Sequence, residues 1–145
     1  LMDADVLYHP VILKRLIKSP FPNCFLVDKN FIEGDEPVKI CLKKRQIVEF
    51  RKKLPKGTSY DEIGESVGFF KFSTDLCRKL ETIISELLSD GQHHLPHEEA
   101  LRELISIERY NIGVEDVTNL PWIEIDYPED ITRAKTEVLP RILAK

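Results

Sequence analysis

The chain has 145 residues, 42% hydrophobic and 32% charged, with a formal net charge of −4. That length suits one domain, residues 1–145, around a single core that needs no staples, and no apolar run approaches the roughly 20 residues of a membrane helix. The acidic balance, with no basic stripe interleaved with aromatics, removes the electrostatic case for nucleic acid; Cys24, Cys41 and Cys77 are scattered without zinc spacing and fit a reducing cytoplasm.

In chain order, Leu1–Val6 is expected as a strand, and Pro10 suits the first turn of a helix whose apolar face is Val11, Leu13, Leu16 and Ile17. His9 takes a helix-terminal position before it. "NCFLVD" has the look of a buried strand, and "IEGDEP" after it is an acidic loop. "VKICLKKRQIVEFRK" alternates on both sides of Lys44-Arg45 and predicts a hairpin with Val38, Ile40 and Leu42 inward. "LPKGTSYDEIGES" reads as a loop and "VGFFKF" as a strand. Ser73 then caps a helix over "TDLCRKLETIISELLSD", which Gly91 stops. Residues 97–110 repeat a helical period with Ala100, Leu101, Leu104 and Ile105 inward. "GVEDVT" and "WIEID" are short strands, and "YPEDITRAKTEVLPRIL" is a last helix. Interleaved strands and helices predict an α/β fold: a mixed, mostly parallel sheet flanked by helices, with one β-hairpin.

Acidic residues gather at the ends of these strands. Asp3 and Asp5, two apart on an extended strand, would face the same way at roughly 6.6 Å, and at an effective dielectric of about 20 they would repel by roughly 3 kcal/mol. Solvation at a strand end or a cation between them would answer that cost. Ligands of open α/β sheets collect beyond the carboxyl ends of strands. If the "DAD" and "WIEID" strands are neighbours, Asp3, Asp5 and Asp126 form one oxygen-rich site of the kind that suits Mg²⁺. Asp126 before Tyr127-Pro128 has equally the setting of a helix cap. His93 and His94 read as a solvated loop pair. The Lys43–Arg45 and Arg51–Lys53 runs read as a solvated hairpin and its exit, with Lys53 the one placed to reach an anion. No nucleophile–base pair and no phosphate-binding glycine loop is legible.

"DADVLYHP", "IVEFRKKLP", "GESVGFFKF" and "LPWIEIDYPEDITRA", in this order, resemble the later two-thirds of a nucleotidyltransferase domain. The resemblance is to the cytidylyltransferase-like members that activate phosphocholine, 2-aminoethylphosphonate or inositol 1-phosphate. It implies a nucleotide-diphospho-sugar transferase-like, Rossmann-like three-layer fold, and a Mg²⁺-assisted transfer of a nucleotidyl group, CMP from CTP, to a phosphate or phosphonate acceptor with release of pyrophosphate. It puts the metal on Asp3, Asp5 and Asp126, with Glu124 a companion on the same strand face. It assigns catalytic roles to Asp5 and Lys53, and acceptor contacts to Lys53, Glu65, Ser66 and Glu124. Lys52 and Leu54 depart from the sugar-nucleotide pattern at this point. The family's glycine-rich segment has no counterpart in these residues. The resemblance therefore implies the C-terminal part of a polypeptide of about 240 residues, the ordinary size of such a domain, inactive by itself and open to homodimerisation.

Two other classes share these features. One is a sugar-1-phosphate nucleotidylyltransferase or metal-dependent glycosyltransferase-like relative; the other is a catalytically inactive binding module. Asp126 kept together with Lys53 favours the transferase.

Overall fold

A computed structural model of the protein describes residues 1–107 and 110–144. The expected helical period over 97–110 crosses residues 108–109, which lie outside those described. The elements are β1 (Val6–Tyr8), α1 (Pro10–Lys18), β2 (Asn23–Asp28), β3 (Lys39–Lys43), β4 (Gln46–Arg51), β5 (Glu62–Lys71), α2 (Thr74–Ser89), α3 (His97–Ile105), β6 (Ile112–Asp116), β7 (Trp122–Glu124), α4 (Pro128–Arg133) and α5 (Leu139–Leu143), with a π-helical turn over Ala134–Val138 between the last two.

The main sheet has the order β4-β3-β5-β2-β6 and is mixed, as expected. It is not mostly parallel: among the described residues β2–β6 is its only parallel pair, and β3–β4, β3–β5 and β2–β5 are antiparallel. The reason is connection length. A parallel neighbour requires a crossover of about a dozen residues or more; the α2–α3 stretch supplies one before β6, whereas β3, β4 and β5 follow each other through turns and short loops. At the hairpin tip Lys44 and Arg45 both have positive φ (48° and 66°), the left-handed pair that matches strand twist in a two-residue turn.

Both faces of the sheet are covered. Phe25, Ile40, Phe50 and Phe70 pack under α2 and α3 through Leu76, Ile83, Leu101 and Leu104. On the other face Cys24, Leu26, Val67 and Phe69 meet Ile12 and Leu16 of α1. Of the expected face of α1, Leu16 is buried and Leu13 packs beside it, whereas Ile12 takes the inward place and Val11 and Ile17 are exposed. His9 Nδ1 accepts the Val11 N–H at 3.1 Å, and Ser73 Oγ accepts that of Leu76 at 3.3 Å, which satisfies donors that a helix start leaves free.

Strand β1 begins at Val6, later than the expected Leu1–Val6. Residues 1–3 instead run along β5: Met2 bridges Phe69, Leu1 and Phe70 exchange backbone hydrogen bonds, and Asp3 N–H donates to Gly68 O at 3.0 Å. After a bend at Ala4-Asp5 the chain pairs with β7 in a separate antiparallel ribbon, Val6 opposite Glu124 and Tyr8 opposite Trp122. Behind this ribbon Ile123 is buried against Ala134 and Val138. Pro140, which has no N–H to continue the helical ladder, follows the π-helical turn that interrupts the expected last helix. Among the described residues no helix is long and apolar enough to cross a membrane.

A candidate acidic active site

Antiparallel pairing of β1 and β7 brings the first and last acidic clusters together. Ile125 N–H donates to Asp5 O at 2.9 Å, so Asp5 leaves β1 just where Glu124 and Asp126 leave β7. One carboxylate oxygen from each of Asp5, Glu124 and Asp126 lies within 4.8 Å of the others. Glu124 and Asp126 share a side because successive residues of a strand alternate, while Ile123 and Ile125, which alternate with them, pack toward Ala134 and Val138.

Asp126 does not cap the last helix. That work falls to Asp130, whose Oδ2 accepts the N–H groups of Asp126 (3.3 Å) and Tyr127 (3.0 Å). The Asp126 carboxylate is thereby left for the acid cluster.

Asp3 stands one step back from the trio. Its half-buried carboxylate lies against Gly68, and Nε2 of His97, at the start of α3, approaches Oδ1 at 3.8 Å. Burial raises the Asp3 pKa, His97 opposes the rise, and Asp5 and Glu98 add to it. Glu124 therefore occupies the place in the oxygen cluster that was expected of Asp3. The bend at Ala4-Asp5 breaks the alternation that would have turned Asp3 and Asp5 the same way.

The cluster opens into two adjoining hollows with Glu124 on their shared wall. One, of about 330 Å³, is bounded by Asp3, Asp5, Lys52, Ser66 and His97. The other, of about 340 Å³, is bounded by Asp28, Glu65, Trp122, Asp126 and Tyr127. Both are of a size that admits a ligand fragment. Asp28 is buried and fixed, its carboxylate accepting Trp122 Nε1–H and Asn30 N–H, both at 2.8 Å.

Glu65 and Ser66 lie inside β5 and not in the expected loop. Pairing on both sides of this central strand explains it: Glu65 is in register with Lys39 of β3 and with Asp28 of β2, and the ladder with β3 runs back to Glu62 opposite Leu42. The Ser66 hydroxyl accepts Gly68 N–H at 3.1 Å. Neighbouring carboxylates make the site strongly negative. Burial first, then Asp126, Asp5 and Asp3, push the Glu124 carboxyl up from 4.5 to about 7, with Lys52 in opposition. Burial, then Glu124 and Asp28, carry Glu65 up to about 7 as well, opposed by Lys39. Lys39 is a buried amine held by the carbonyls of Gly34, Pro37 and Lys52.

The cleft lysine is Lys52, not Lys53. Lys53 points away to pair with Asp35 at 3.2 Å on the surface, whereas Lys52, paired with Glu36 at 3.0 Å, lines the cleft. One residue at the end of a strand reverses which side a chain faces, and the sequence offers nothing local to choose between adjacent lysines. His97 and Glu98 also enter the cleft unanticipated; only the packing of α3 on β4 brings them there.

Three hard oxygen donors converging where carboxylates crowd and little positive charge offsets them fit a divalent cation of the magnesium type. Such an ion would be held by Asp5, Glu124 and Asp126.

No family model and no curated protein matches the chain. Among solved structures, it is similar to the inositol-1-phosphate CTP transferase from T. maritima (TM-score 0.62, 20% identity), with 95% of this chain aligned to 53% of that one. It is also similar to CMP:2-keto-3-deoxy-manno-octonic acid synthetase complexed with CTP (TM-score 0.54, 15% identity), with 92% of this chain aligned to 61% of that one. The chain thus spans little more than half the length of these neighbours. Both neighbours transfer or bind cytidine nucleotides, and at these identities the shared property is the fold, a nucleotidyltransferase-like α/β architecture.

Proposed function

We propose that the protein serves a Mg²⁺-dependent cytidylyl transfer, in which an oxygen of a phosphate or phosphonate acceptor attacks the α-phosphorus of CTP. The new P–O bond forms as the bond to the bridging oxygen of pyrophosphate breaks. The observation that carries this reading is the convergence of Asp5, Glu124 and Asp126 oxygens within 4.8 Å beside a cleft that also holds Lys52. The fold shared with two proteins whose names include CTP supports the choice of nucleotide.

A Mg²⁺ ion bound there would neutralise triphosphate charge and steady the oxygens of the leaving group. The carboxylates hold their positions through the paired backbones of β1 and β7, so the site is built before substrate arrives. Lys52 brings a cation to an otherwise negative cleft, where an anionic acceptor needs one. Ser66, with its hydroxyl hydrogen uncommitted to Gly68, offers a donor to a phosphoryl oxygen. An ionised phosphate is already a nucleophile, so no general base is required, in keeping with the absence of a nucleophile–base pair in the sequence.

The test is pyrophosphate release from CTP and Mg²⁺ by the full-length polypeptide that carries these residues, with a panel of phosphorylated and phosphonate acceptors, compared with its Asp126→Asn variant. Acceptor-dependent release, reduced by at least a hundredfold in the variant, is expected. Acceptor-independent release, or none with any acceptor, would contradict the proposal.

A further inference from the structure

Strand β5 carries an irregularity that faces the acid site. Its pairing with β2 shifts register between Phe25 and Val27, which oppose Phe70 and Ser66, so extra chain is accommodated around Gly68. Gly68 is buried and has φ +74°, a conformation glycine adopts without the steric cost other residues meet. Its N–H is satisfied by Ser66 Oγ at 3.1 Å, and its carbonyl accepts Asp3 N–H at 3.0 Å.

The space a side chain would fill is taken. A Cβ at Gly68 would sit 2.8 Å from Asp3 Cγ, and closer still to Oδ2, below any separation a real Cβ keeps. Two residues later the same segment is pinned again, by the Ile125 N–H bond to Asp5 O at 2.9 Å. Between these two clamps lies only the bend at Ala4.

From this geometry we infer that Gly68 is a positioning residue for the acid site: its empty side-chain position seats Asp3, and that seat sets the bend that delivers Asp5 to Glu124 and Asp126. The inference rests on the reading above for what the acids do, but the seat itself is independent of it. Gly68 borders the hollow of about 330 Å³ but has no side chain to offer an ion or substrate, and in this scheme it acts through residues 3–5.

A control for the collision alone, without the left-handed backbone, exists in the same fold. A Cβ at Gly113 would also collide, 2.5 Å from Phe21 Cδ1 and closer still to Cγ and Cδ2 of that ring, but in β6, away from the acids. The experiment measures Mn²⁺ binding by the loss of its free-ion paramagnetic resonance signal, alongside thermal unfolding in EDTA, for wild type, Gly68→Ala, Gly113→Ala, Asp3→Ala and Asp3→Ala/Gly68→Ala.

Gly68→Ala is expected to weaken Mn²⁺ binding at least tenfold and Gly113→Ala less than twofold. Removing the Asp3 side chain should rescue Gly68→Ala, bringing the double variant within about threefold of Asp3→Ala. A Gly68→Ala protein that binds Mn²⁺ like wild type, or a double variant no better than Gly68→Ala, overturns the inference. Should Gly68→Ala fail to fold, the double variant must still fold and bind within that threefold limit, and its failure also overturns it. If wild type itself shows no saturable Mn²⁺ site, the reading of the acids falls. The seat is then judged by unfolding alone: Gly68→Ala must lower the midpoint less in the Asp3→Ala background than in wild type, and equal losses refute it.

Discussion

Replacing Glu124 by glutamine should stabilise the ion-free protein, and only at high pH. In the folded chain burial and the charges of Asp126, Asp5 and Asp3 lift this carboxyl from 4.5 to about 7. The native state therefore holds the proton more tightly than the unfolded state does. Its contribution is fully present below about pH 4.5 and is lost as pH rises through about 7, where the charge must be carried in a crowded site. At 1.36 kcal/mol per tenfold change in proton affinity the ceiling is roughly 3 kcal/mol. Glu124 keeps some solvent contact and Lys52 offsets part of the repulsion, which reduces the expected gain to about 1–2 kcal/mol. For a domain of this size that corresponds to roughly 2–8 °C in midpoint. Thermal unfolding of Glu124→Gln and wild type in EDTA, at pH 5 and pH 8, reads it directly. The variant should melt higher at pH 8 and within about a degree of wild type at pH 5. In saturating Mg²⁺ the order should reverse, since a ligand at about a hundred times its dissociation constant adds about 2.7 kcal/mol to the protein that binds it. An equal shift at both pH values, or a lower midpoint for the variant at pH 8 in EDTA, would refute the reasoning.

Lys52→Ala should lower kcat/KM for CTP and acceptor by about tenfold or more, as expected for loss of a charge-assisted contact to an anion, with Lys53→Ala within about twofold of wild type; the reverse ranking in steady-state kinetics would restore Lys53 to the site. Asp130→Ala removes the acceptor for Asp126 and Tyr127 N–H and should cost about 1 kcal/mol in urea unfolding, the usual worth of a cap, together with a weaker Mn²⁺ site because Asp126 loses its support. Cys24 and Cys41 are buried, and burial pushes the Cys41 thiol up to about 11, while Cys77 is exposed; a chromogenic disulfide reagent at pH 8 should therefore titrate one thiol quickly in the native protein and all three after denaturation.

Local rules served where local physics decides. The Lys44-Arg45 turn, the Ser73 cap, the six-residue buried strand at Asn23–Asp28 and the inward Leu101 and Leu104 all follow from periodicity and turn chemistry, and the structure has them. Strand direction was less legible, because β5 returns beside β3 without a crossover and no pattern inside "GESVGFF" announces that its first residues are already strand. The acids were legible as a group and not as a geometry. "WIEID" puts Glu124 and Asp126 on one side by alternation, whereas Asp3 and Asp5 part company at a bend whose cause lies sixty-odd residues away, at Gly68. His97, Glu98 and Lys39 reach the site only through tertiary packing, so their roles had no signature to read.

The claim on which the rest depends is that Asp5, Glu124 and Asp126 share one divalent ion. An anomalous difference map from crystals grown with Mn²⁺ tests it most directly. The account predicts a single strong peak within about 2.0–2.3 Å of an oxygen from each of the three, the range of hard-ion coordination. A peak held by other residues, or none at the site under saturating Mn²⁺, would contradict it.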